Sequence, residues 1–410
     1  MLPALAVGLV ASLVGSLFLL AGNVPFAQDA CKRLEKTLVE NVVGQEVATE
    51  QLIDAICPFL NRPETSEKPL VISVHGPPGV GKTLTHRLVA HALYGLDGSK
   101  ESLGQIVRAG VIETVKFAGQ LVEGVRGASI FLTEIKRRAS YECPGKDCPG
   151  YKVVYGMDFL GDAEQEQVAS FKRSILEHLQ KHKEAILVIE EYDKLNCGSR
   201  AALRQLIQHP AAANVTMSRS IVFLESNLGT FSVNDMLNEV KGKKELISPE
   251  AVHTKLKDDI FSVWTMGKCE ATVDTIKALN LVDYFLPFFP LGVEEIRKLI
   301  RLNLRQFAIE EGNEWGEVSW GAEVVEFLLS KIDFDNGYPV DGGKDVGIGL
   351  SRYVRRAIRK IDDDSRCIDK VHLTVDKKEN TIVTQVSKGY TSRRCREKTG
   401  VATTHQDVQR

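Results

Sequence analysis

The octapeptide GPPGVGKT, Gly76 to Thr83, constrains the fold of this chain more than any other stretch. It fits the spacing G-x4-G-K-[ST]. It lies between PLVISVHG, a short apolar run rich in β-formers, and KTLTHRLVAHALYG, a helical pattern, which is the context in which that spacing cradles phosphate. Gly76, Gly79 and Gly81 let backbone N–H groups turn inward at a helix N-terminus whose dipole favours an anion, and Pro77, Pro78 and Val80 complete the loop. Lys82 is then expected to neutralise the outer phosphates and Thr83 to ligate Mg2+. A strand delivering such a loop is buried on both faces, so the sequence predicts an α/β fold with a parallel sheet.

Three further segments complete a nucleotide site. ILVIEE, Ile186 to Glu191, is an apolar strand ending in two carboxylates. Glu190 is placed to hold Mg2+, with a longer reach than an aspartate, and Glu191 to polarise an attacking water as general base. SIVFLESN ends in Asn227, an amide at a strand tip suited to orient that water. In GGKD, Lys344 opens a helix late in the chain, where a cation can reach back to the γ-phosphate. Each has a bland counterpart: solvated strand-end acids, a turn asparagine, an exposed lysine.

Strands are also predicted at YKVVYGMDFL (151 to 160), and helices over 30 to 61 with a turn at Val43-Gly44-Gln45, and over 163 to 183. Strands alternating with helices imply right-handed βαβ units. From Gly292 onward the pattern becomes helical, and VHLTVDKKENTIVTQV reads as a hairpin. The division is therefore a large nucleotide-binding domain over 29–290 with an unassigned insertion at 95–150, a smaller, mostly helical lid domain over 291–388, and a loose tail over 389–410.

A net charge of −2 provides no field for a nucleic-acid backbone, so nucleic acid is not an expected partner. The eight cysteines show neither CxxC pairs nor matched His spacing, which disfavours a zinc module. Cys143 and Cys148 flank a Pro/Gly turn and fit a local disulfide or two free thiols, according to compartment. Residues 2–21 form an apolar run, a signal peptide or a membrane anchor. YGM, Tyr155 to Met157, superficially resembles the aromatic-glycine pore loop of threading unfoldases, but its place within a strand, ahead of Asp158, reads instead as core packing. Arg352, Arg355, Arg356 and Arg359 share one helical stripe, a solvated face or a contact surface.

The order of phosphate loop, acidic strand, polar strand tip and helical domain with a late lysine resembles the AAA+ ATPases. LEKTLVENVVGQEVA, IEEYDKLN, LESN and above all LVDYFLPFFPL (281 to 291) resemble the torsins, relatives of the Clp-type unfoldases. The resemblance covers residues 34–94 and 151–360. It implies ATP and Mg2+ as cofactors, slow ATP hydrolysis, homo- or hetero-oligomers, protein substrates, and placement in the lumen of the endoplasmic reticulum and nuclear envelope. Clp-type enzymes carry an arginine finger just before the segment matching Val282-Asp283. Here the positions read Asn280-Leu281, and the torsin resemblance implies that a membrane-anchored luminal activator supplies the arginine. The torsin Gly-Cys-Lys is Gly342-Gly343-Lys344 here, so redox control through that cysteine does not carry over. Two alternatives stand beside this reading: a nucleotide-gated switch or scaffold with little hydrolysis, and a self-sufficient Clp-type unfoldase.

Overall fold

The computed structural model describes residues 25–62, 68–95, 148–160, 164–266, 280–315, 317–361 and 368–388. The apolar N-terminal run, most of the 95–150 insertion and the 389–410 tail lie outside the described residues.

Helices α1 (Ala30–Asn41) and α2 (Glu46–Leu60) are separated by a turn in which Gly44 takes φ +72°. A disulfide between Cys31 and Cys57, Cα atoms 5.2 Å apart, ties them together; it was not foreseen. Closing a loop of this length stabilises by about 3–4 kcal/mol through the unfolded chain. Cys148 and Cys197 are likewise disulfide-bonded; Cys143 lies outside the described residues.

The sheet consists of β1 (Leu70–His75), β2 (Tyr151–Tyr155), β3 (Ile186–Glu190), β4 (Ile221–Ser226) and β5 (Tyr284–Pro287), all parallel, in the order β2-β3-β4-β1-β5. Alternation decides which side chain faces which layer. Leu187, Ile189, Val222 and Leu224 join one core with α4 (Glu164–Lys181), α5 (Cys197–Gln208), α6 (Thr230–Glu239) and α7 (Pro249–Met266). Ile186, Val188, Ile221 and Phe223 join the opposite core with α1, α2 and α3 (Lys82–Tyr94). Because both faces are covered, β1 is buried throughout, Ser73 and His75 included, and most of β3 and β4 are continuous apolar runs rather than alternating ones.

A third core is drawn wholly from residues 291 onward. It packs α8 (Val293–Trp315) against α9 (Ala322–Leu329), α10 (Lys344–Gly349) and a three-stranded sheet. That sheet contains the predicted hairpin, β9 (Ile368–Asp376) with β10 (Thr381–Lys388), and β6 (Glu317–Trp320) parallel to β9. The short β6, EVSW, was missed because four residues cannot show a period. Between α9 and α10, β7 (Phe334–Asp335) and β8 (Tyr338–Pro339) form a tight hairpin through Asn336-Gly337, both at positive φ.

Two expectations need correction. YGM is not core packing: β2 ends at Tyr155, a 3-10 turn follows over Gly156–Phe159, and Tyr155 and Met157 are 47% and 51% exposed. Only Gly156 is buried there. Nor do the four arginines share one stripe of regular helix, since Leu350–Arg355 is π-helical, continuing as α11 (Arg356–Arg359). Arg355 pairs with Glu310 and Glu311 of α8 and lies over the Phe307 ring.

Candidate functional site

The site lies at the C-terminal edge of the sheet, where the loop between β1 and α3 meets the tips of β3 and β4. Gly76 (φ +147°), Gly79 (+78°) and Gly81 (+102°) hold backbone conformations that L side chains rarely adopt. A Cβ on Gly76 would lie against the carbonyl of Phe288, in the LVDYFLPFFPL segment, whereas one on Gly81 would meet open space. The loop is therefore pressed against β5 on one side and open at the start of α3, as a phosphate cradle requires. Pro77 and Pro78 lie toward the surface and Val80 is buried.

Lys82 Nζ donates to the carbonyls of Gly76 and Pro77, each at 2.8 Å, and to Asn227 Oδ1 at 2.9 Å. Burial, with a further contribution from the like charge of Lys344, lowers its pKa to about 8, although Glu225, Asp193 and Glu190 oppose the shift. An anion in the loop would reverse that penalty. Thus Lys82 and Asn227 are brought into direct contact, and Lys344, from the other unit, acts on Lys82 through space.

The two units meet backbone to backbone. Gly343 N–H donates to the Gly79 carbonyl at 2.7 Å, and Gly342, at φ +63°, lies so close that a Cβ there would be 2.8 Å from Gly79 carbonyl atoms. The residue torsins fill with cysteine is here Gly343, at this contact.

Thr83 Oγ1 donates to Glu225, 3.1 and 3.2 Å from its two oxygens. Glu225 was not foreseen as a site residue, although a glutamate interrupting the apolar run IVFL is a signal in itself. It pairs in register with Glu190 on the neighbouring strand. Between the two carboxylates sits His86, one turn along α3 from Thr83. Its Nε2 lies 3.2 Å from Glu225 Oε2 and 3.5 Å from Glu190 Oε1, while Nδ1 is 2.7 Å from the Tyr151 hydroxyl. Burial opposes charge on His86, but the two carboxylates outweigh it and raise its pKa. Glu190 Oε1 is buried and has no hydrogen-bond partner. That orphan oxygen, across His86 from the carboxylate that Thr83 holds, fits a cation site of the kind expected for Mg2+.

Glu191 lies just past the tip of β3, half-buried, with its backbone at φ +52°. Its carbonyl packs on Gly156, where a Cβ would lie 2.2 Å away. The neighbouring Asp193 accepts from Ser226 Oγ at 2.6 Å, which in turn accepts from Leu228 N–H, so the loop after β4 is fixed around Asn227.

A third unforeseen residue, after Glu225 and His86, is Gln45, in the turn before α2 and almost fully buried. Its side-chain amide donates to the carbonyls of Val80 and Phe289, at 3.2 and 2.8 Å, and its Oε1 accepts from Phe289 N–H at 2.8 Å. One side chain therefore joins the phosphate loop to LVDYFLPFFPL. Asp283, in the same segment, exchanges two 2.9 Å hydrogen bonds with Val71 and so extends the β1–β5 ladder. Asn280, at the end of the stretch where Clp-type enzymes place an arginine, accepts from Lys257 at 3.0 Å.

A torsin family model matches residues 23–117, reaching past residue 95 into the stretch that had no assignment. A torsin-like protein of Drosophila melanogaster is 23% identical over 293 residues, covering 69% of this chain and 68% of the fly protein. Rat Torsin-3A is 22% identical over 275 residues, 65% of this chain and 56% of its own length. The mitochondrial chaperone ClpB4 of Arabidopsis thaliana is 22% identical over 358 residues, 84% of this chain but 31% of that protein. With the five-stranded parallel sheet and the phosphate loop at its edge, these matches support a divergent, torsin-like chain, similar at low identity to the torsins and more distantly to a Clp-type chaperone.

Proposed function

We propose that this chain binds ATP with Mg2+, hydrolyses it slowly when alone, and uses the bound state to change the angle of the lid, residues 291–388, in remodelling other proteins. One observation carries the reading. The phosphate-loop lysine, the strand-tip amide and the lid lysine act on one point, with Lys82 hydrogen-bonded to Asn227 and sensing the charge of Lys344.

Bound MgATP supplies the phosphoanhydride to be cleaved and the charge that neutralises its oxygens. The chain's own residues do the rest. Lys82 exchanges its carbonyl partners for the oxygens of the outer phosphates, Thr83 and Glu190 hold the cation side, and Asn227 and Glu191 orient and deprotonate a water. Lys344 links the phosphates to the lid through the Gly79–Gly343 contact. Asn280-Leu281 provides no arginine, and such a finger is worth about 10³–10⁵ in turnover. A membrane-anchored luminal activator that brings one is the proposed partner, in homo- or hetero-oligomers acting on protein substrates.

Placement in the lumen of the endoplasmic reticulum and nuclear envelope is supported by the Cys31–Cys57 bridge, since disulfides persist in oxidising compartments. The torsin resemblance implies the same compartment. Among the described residues no helix is long and apolar enough to cross a membrane. Residues 1–28 remain the proposed signal peptide or anchor.

A second reading, a self-sufficient Clp-type unfoldase, is favoured by the exposed Tyr155 and Met157 at the end of β2, a surface able to grip a polypeptide. One experiment separates the two: ATP binding and steady-state turnover of the purified chain against Glu191→Gln. Tight binding by both proteins, with very low turnover that the substitution abolishes, supports the first reading. Brisk turnover that rises with protein concentration supports the second. Turnover unchanged by Glu191→Gln removes Glu191 as the base.

A further inference from the structure

We propose that, in the nucleotide-free chain, His86, Glu190 and Glu225 form a binding site for a divalent transition ion of the zinc type. The inference shares residues with the proposed nucleotide site but does not depend on ATP being bound or cleaved.

One ligand atom from each residue lies within 4.8 Å of the other two. An ion at ~2.0–2.2 Å from its ligands brings neighbouring ligand atoms to about 3.0–3.5 Å. The observed separations from His86 Nε2, 3.2 Å to Glu225 and 3.5 Å to Glu190, already match that spacing. At 3.5 Å Glu190 Oε1 makes no hydrogen bond, so the carboxylate is held near the imidazole without being satisfied by it. His86 itself is 98% buried, given its 2% exposure, and cannot turn to water for a partner.

The surrounding groups orient the set. Without an ion, Nε2 hydrogen-bonds to Glu225 at 3.2 Å; ion uptake releases that proton, and with Nδ1–H then donated to the Tyr151 hydroxyl at 2.7 Å, Nε2 becomes a lone-pair ligand aimed between the two glutamates. Thr83 holds Glu225 from the other side. Mg2+ takes oxygen ligands and dehydrates reluctantly, whereas a mixed imidazole–carboxylate set suits zinc-type ions, which also bind more tightly in the divalent series. An ordinary strand-end acid pair would contain no buried imidazole. Here the nitrogen decides the selectivity.

The test is calorimetric titration of Zn2+ into the nucleotide-free full chain, with wild type, His86→Gln and Tyr151→Phe compared, and X-ray absorption at the zinc edge on the loaded wild type. Wild type is expected to take up one equivalent more than His86→Gln, with a nitrogen in the first shell. Tyr151→Phe should weaken that equivalent about 10-fold or more through the lost orienting bond, and this serves as the test if His86→Gln does not fold. Equal stoichiometry and affinity in wild type and both variants, or displacement of the zinc by a ~100-fold excess of Mg2+, would overturn the proposal. ATP binding in Mg2+ is measured on the same wild-type preparation. Zinc uptake without ATP binding would sink the nucleotide reading alone, and ATP binding without zinc uptake would sink this one alone.

Discussion

Replacing Gly342 by alanine tests whether the lid is coupled to the phosphate loop through backbone contact. Gly342 sits at φ +63°, and an added Cβ would stand 2.8 Å from both the carbonyl carbon and oxygen of Gly79. Gly337 gives an internal control, because it lies at φ +84° with nothing within 4 Å of a built Cβ. Both variants carry the left-handed backbone penalty of about 1 kcal/mol. Only Gly342→Ala must also push two backbones apart, since ordinary contact begins near 3.4 Å, a gap of roughly 0.6 Å that no side-chain rotation can relieve. Forced overpacking of this kind costs about 1–3 kcal/mol. The strain either lowers stability below that of Gly337→Ala by this amount, or lifts the lid and breaks the 2.7 Å bond from Gly343 to Gly79, so that ATP affinity falls about tenfold. Urea unfolding and titration with a fluorescent ATP analogue read the two routes. A Gly342→Ala protein indistinguishable from Gly337→Ala in both would refute the coupling.

Gln45→Ala leaves the Phe289 amide and two carbonyls without their partners in a dry site and should cost about 2–4 kcal/mol in urea unfolding, with weakened ATP binding; a change under about 1 kcal/mol would show that water replaces the side chain. His75 is fully buried, with Nδ1 3.1 Å from the Leu228 carbonyl, and burial first, then the nearby Lys82 charge, holds its pKa down to about 3 against 6.5 when unfolded. Below about pH 6.5 the unfolded state therefore binds the extra proton, and stability is lost as pH falls toward 3, by about 2 kcal/mol at pH 5. His178, also held down to about 4 by burial, acts in the same direction, so the His75 share is the difference between wild type and His75→Asn unfolded at pH 7.5 and at pH 5, and an identical pH response in the two proteins would refute it.

Much of the candidate site was legible because it is local. The phosphate loop, the acidic end of β3 and Asn227 each sit at the end of an apolar run, where a short segment carries both the strand and its tip. Glu225 is masked in the sequence by the amide at the tip of its strand, although a carboxylate inside IVFLES is the more unusual residue there. Gln45 and His86 carry no local signature. Their meaning comes from Phe289, 244 residues away, and from strands that only the sheet order makes neighbours. Tyr155 was assigned to the core because its strand was taken to run on to Leu160. The backbone turns at Gly156, whose missing side chain lets it pack against the Glu191 carbonyl. The lid's β6 escaped notice for lack of length, and the Cys31–Cys57 pairing because connectivity is not written in spacing.

The bond pattern of Gln45 also sets an order of assembly. The loop that follows β1 is built from residues made early, yet it is held by Phe289 and pressed against Phe288, while β1 gains its second neighbour only when β5 pairs with it. A chain emerging from the ribosome therefore carries its glycine-rich loop for about 200 residues of synthesis without the strand that closes it. Nucleotide has no finished place to bind until LVDYFLPFFPL arrives, and the last strand of the sheet is the one that completes the first.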